Sequence, residues 1–101
     1  MPSFRTTLTI DGLRPGNAPE SVMATAVEAL ESCHHVEANQ LDIVRGVPQL
    51  TLRFLVEPTE YDAENRLARE SAASVRDAVD RVAVTGRQTV SRRARGKWLV
   101  V

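Results

Sequence analysis

Apolar and polar residues alternate most cleanly along two stretches of the chain. From Phe4 to Asp11, Phe4, Thr6, Leu8 and Ile10 fall on one side and Arg5, Thr7, Thr9 and Asp11 on the other. From Gln49 to Glu57, Leu50, Leu52, Phe54 and Val56 alternate with Thr51 and Arg53, while Leu55 is an apolar residue on the polar side. A period of two marks a strand with one face against a core. Val36 to Arg45 reads as a further strand whose phase slips near Asn39-Gln40, which predicts a β-bulge there. Gly46-Val47-Pro48 is the expected link between it and the strand that follows.

Two segments change period. Met23, Ala26, Val27, Leu30 and Cys33 recur at intervals of three and four, so a helix should run from about Pro19 to His34 with Cys33 on its buried stripe. Pro19 suits the first turn, where a missing N–H costs little. A second helix should start after Thr59-Glu60-Tyr61-Asp62, a capping-box-like tetrad, and reach about Ala83. Its narrow stripe holds Tyr61, Asn65, Ala68, Ala72, Val75, Val79 and Val82, with Asp62–Arg66 and Asp77–Arg81 as i,i+4 pairs on the solvated side. Gly86 reads as a turn, Gln88 to Arg93 as a fourth strand, and Lys97 to Val101 as a short fifth strand after Ala94-Arg95-Gly96. One long bulged strand fits these last residues equally.

The order β-α-β-β-α-β resembles the ferredoxin-like architecture across nearly all of residues 1–101. The expected class is α+β. It is a single-domain, two-layer sandwich: a four-stranded antiparallel sheet, with a short fifth strand at its end, and both helices on one face. That resemblance is one of architecture and fixes no activity.

Composition narrows the function classes. The 101 residues carry a formal net charge of zero, which gives no overall pull toward nucleic acid or anionic membrane. The zero conceals an imbalance. Residues 84–101 hold Arg87, Arg92, Arg93, Arg95 and Lys97 and no acid, whereas the rest carries eight basic against thirteen acidic side chains. A single cysteine excludes an internal disulfide and fits a reducing, cytoplasmic setting. No apolar run is long enough for a membrane span.

Candidate chemistry is sparse. Cys33, His34 and His35 are adjacent, and neighbours on a helix point about 100° apart, so they do not converge on one metal ion. No metal or other cofactor is therefore expected. Catalysis by His34 or His35 as a base is the weakest reading, and the chain is read as a non-enzymatic module. The open sheet face should carry Arg5, Thr7, Thr9, Thr51, Arg53 and Leu55, as a surface for a ligand, a partner or a second copy in a homodimer. The alternative is anion or nucleic-acid binding through Arg92, Arg93, Arg95, Lys97 and Trp98, since arginines beside an indole can grip phosphate and stack on a base. Trp98 also has the properties of a plug closing the core.

Overall fold

The computed structural model describes all 101 residues. Alternation forms strand β1 (Ser3–Leu13), and its even-numbered residues Phe4, Thr6, Leu8 and Ile10 are buried. Helix α1 (Pro19–Glu31) follows, then strands β2 (His35–Val44) and β3 (Val47–Leu55), helix α2 (Tyr61–Val79), and strands β4 (Ala83–Ala94) and β5 (Lys97–Val100). The class is α+β. One antiparallel sheet has the order β2-β3-β1-β4-β5. It has five strands rather than four and is not strictly the ferredoxin-like arrangement, because β5 pairs beyond β4 as a hairpin partner.

Both helices bury their apolar stripes on the same sheet face. Val22, Ala26 and Leu30 of α1 and Ala68, Ala72, Val75 and Val79 of α2 join one core with Phe4, Leu8, Leu50, Leu52 and Phe54. Each fully buried Leu or Phe contributes about 1.5–3 kcal/mol of transfer free energy. The Phe4 and Phe54 rings stack across the β1–β3 pair, 6.0 Å apart. Small residues on α2 let it lie close to the sheet, and Gln88 of β4 donates to the Ala72 carbonyl at 2.9 Å. Buried Thr6 is satisfied by the Thr89 carbonyl and Gln88.

Several element ends differ from expectation, each for a local reason. Helix α1 stops at Glu31, and the Cys33 and His34 amides both donate to the Leu30 carbonyl. Cys33 therefore sits exposed in the turn and not on the buried stripe. The β2–β3 link is Arg45-Gly46, with φ of 53° and 80°, a two-residue turn whose twist matches its strands. The β2 bulge lies between Val36 and Ala38, three residues before the phase slip. Helix α2 ends at Val79, where the Arg81 and Val82 amides close tighter turns onto the Ala78 and Val79 carbonyls; the Asp80 carbonyl accepts from Arg14 and its carboxylate from Thr85. The Thr59–Asp62 box does not form, and Asp62–Arg66 and Asp77–Arg81 do not close as ion pairs.

Gly86 is not a turn but part of β4, where the β1–β4 register shifts. A Cβ at Gly86 would overlap Thr9 Oγ1, which already accepts the Arg87 amide at 2.7 Å. Gly86→Ala should lower stability by about 1–3 kcal/mol, as overpacking does. The loss should shrink when it is combined with Thr9→Ala. Urea midpoints of the two single variants and the double variant measure this, and simple additivity would contradict the assigned contact.

Candidate functional site

Strand alternation and register assemble the open face. Arg5 lies opposite Arg53, Thr7 opposite Thr51, and Ser3 opposite Leu55. On the other side of β1, Arg5 faces Ser91 and Thr7 faces Thr89, and Arg93 lies opposite Trp98 of β5. Trp98 does not enter the core. It lies half-buried across this face, and three guanidinium groups surround its ring: Arg5 at 4.6 Å, Arg93 at 5.3 Å and Arg53 at 5.4 Å from the centroid. A cation over an indole gains about 0.5–1 kcal/mol at an exposed site. Arg5, Arg53, Thr51, Asn39, Gln40 and Trp98 line a shallow cavity of about 210 Å³.

Like charges directly opposite on paired strands destabilise a sheet, so the Arg5–Arg53 pair is a cost that the fold tolerates. One carboxylate answers it: Glu37 Oε1 lies 3.5 Å from Arg53 Nε and accepts from Ser3 at 3.1 Å. Arg5 and Arg93 have no acidic partner. Thr9 belongs to the open face, but its hydroxyl is committed to the β4 irregularity. Leu55 is half-buried at the sheet's end, one row beyond Arg53 and opposite Ser3, and it lines the cavity beside the histidines.

The remaining basic candidates are dispersed. Arg92 projects to the helix side, beside Phe4. It donates to Glu64 Oε1 at 2.8 Å and Asn65 Oδ1 at 3.0 Å, with Tyr61 4.2 Å below its guanidinium. Glu64 also accepts the Thr59 amide at 2.9 Å. The backbone bond and then Arg92 hold its carboxyl below the ordinary value of 4.5, against the opposing effect of burial. Arg92 is thus a structural residue. Arg95 is exposed in the turn to β5 and Lys97 begins that strand, and neither is among the cations around Trp98. Sequence reading missed Glu64, whose one visible signal was a place near Thr59 at the start of a helix.

The histidines lie where the chain enters edge strand β2, with His35 in the same cross-strand row as Leu55 and Ser3. His34 and His35 line an open cavity of about 550 Å³ with Cys33, Val36, Leu55 and Glu57. His34 Nε2 is 2.7 Å from Ser71 Oγ, and its ring packs against Phe54. Burial lowers its pKa from 6.5, which favours the neutral ring. No carboxylate bonds the imidazole, and Ser71 is buried between helix and sheet, so the pair pins the α1–β2 turn to α2. No group of three or more His, Cys, Asp or Glu side chains converges on a point. No helix is long and apolar enough to cross a membrane.

Comparison with protein-family models, curated proteins and solved structures finds no match for the chain.

Both shifted groups make stability fall with acid. His34 is disfavoured in its charged form when folded, so stability present above 6.5 is lost as pH falls below it. Glu64 is favoured in its charged form, so its contribution is present above 4.5 and is lost below it. Urea midpoints from pH 7 to 3 should decline in these two windows. Glu64→Gln should start lower at pH 7 and flatten the second decline. An unchanged slope below 4.5 in that variant would contradict the assigned ion pair.

Proposed function

We propose that the protein is a non-enzymatic binding module, and that the open face of its sheet holds an anionic ligand or partner against Arg5, Arg53, Arg93 and Trp98. The reading treats the architecture as a ferredoxin-like sandwich extended by β5. The supporting observation is the convergence of three guanidinium groups on one indole with a single carboxylate among them. Guanidinium groups bind phosphate and carboxylate with charge-assisted, often bidentate hydrogen bonds. Neighbouring Thr7 and Thr51 add neutral donors on the same face. The same crowding of cations weighs against a second copy of this face as the occupant.

Trp98 is the sole tryptophan, so its fluorescence reports on the site directly. Titration with pyrophosphate, a mixed-sequence single-stranded oligonucleotide and polyglutamate should give a saturable change for at least one of them. That binding should weaken as salt rises. Arg5→Met should weaken it by roughly tenfold or more, yet leave folding stability nearly unchanged, because relief of a like-charge pair and loss of the contact with Trp98 oppose each other. A flat titration with all three, or binding that survives Arg5→Met and Arg93→Met, would overturn the reading.

A further inference from the structure

The two edges of the sheet are unlike. Strand β5 has four residues and carries Lys97, which are devices that blunt an edge against pairing. Strand β2 has ten residues with no Lys, Arg or Pro. It exposes large apolar side chains on its helix-facing side: Leu41 is 57% exposed and Ile43 64%. Beneath them, with Leu13, Pro19 and Met23, runs an apolar groove of about 310 Å³. A long edge with uncovered apolar residues is a template for another strand.

The hairpin turn fixes which backbone groups are free. Val44 and Val47 flank a two-residue turn with both φ values positive, so that pair exchanges its hydrogen bonds inside the hairpin. Counting back by twos, Asp42, Gln40 and Ala38 also bond inward to β3. The N–H and C=O groups of Ile43, Leu41 and Asn39 therefore point outward, unpaired.

We propose that β2 pairs antiparallel with β2 of a second copy about a two-fold axis at Leu41, joining two five-stranded sheets into one of ten strands. In this register Leu41 meets Leu41, and Ile43 lies opposite Asn39, which uses all three outward-pointing residues. Gln40 lies opposite Asp42, a donor against a carboxylate. Other axes compatible with the free groups do worse: one at Asp42 opposes two carboxylates, and one at Gln40 opposes each Leu41 to an Asn39. The occupant is a second copy because the edge complements itself: the exposed Leu41 meets its own twin, and each Asp42 meets an amide and not a carboxylate. This contact borders each Trp98 cavity at Asn39 and Gln40 but uses none of Arg5, Arg53, Arg93 or Trp98, and it does not depend on what they bind.

Light scattering after gel filtration should give about twice the 11.1 kDa chain mass for the natural protein. Leu41→Lys sets two cations face to face at the axis and should return it to single-chain mass at equal concentration, with an unchanged circular-dichroism spectrum. Leu41→Cys with Cys33→Ser keeps the proposal testable should the lysine variant fail to fold. Opposed residues of a hydrogen-bonded pair have Cα atoms about 5.5 Å apart, within disulfide range, so mild oxidation should cross-link the chains. Single-chain mass for the natural protein, a dimer that persists in folded Leu41→Lys, or no cross-link through Leu41→Cys would each overturn the proposal.

Discussion

Strand β4 places consecutive arginines in opposite environments, and the two-residue period of a strand leaves it no alternative. Arg92 goes under α2, into a cage of Glu64, Asn65, Tyr61 and Phe4. Arg93 goes to the open face and meets Trp98. A slip of one residue in one direction would set Ser91 beside Glu64, leaving that carboxylate buried without a cation; in the other it would set Ala94 against the indole, and either slip would turn Val90 out of the core. A buried carboxylate stripped of its partner is strongly destabilising. The ion pair beneath α2 therefore fixes the register on which the cationic face depends, although it touches no ligand.

Much of the core was legible because alternation is a local property. Phe4, Leu8, Leu50, Leu52 and Phe54 could be assigned inward from the strand period alone, and all are buried. The helix ends were not legible. The carbonyl of Asp80, just past α2, is met by Arg14 from 66 residues away, and no local pattern encodes that contact. Gly86 looked like a turn residue because glycine usually marks one; here it makes room for Thr9 at a register shift. Cys33 continued the helical spacing on paper, yet the helix ended two residues before it.

The candidate site was partly legible for the same reason. Arg5, Thr7, Thr51 and Arg53 share a face by alternation, and pairing of β1 with β3 sets them side by side. Sorting the basic C-terminal segment required the β1–β4 register and the β4–β5 hairpin. Of Arg92, Arg93, Arg95 and Lys97 only Arg93 meets the indole, while Arg5 and Arg53 arrive from strands distant in sequence. A run of positive charge in the sequence thus became one structural arginine, one member of the cluster, and two peripheral cations. The sheet performs two tasks at once: its helix-facing side supplies the core, and its bare side gathers charge that the core excludes.

The division of Arg92 from Arg93 is tested most directly by comparing Arg92→Met with Arg93→Met in two readouts, the urea midpoint and the Trp98 emission of the native state. Arg92→Met should lower the midpoint and leave the emission nearly unchanged. Arg93→Met should shift the emission and leave the midpoint nearly unchanged. The reverse pattern, or equal effects of the two variants in both readouts, would contradict the account.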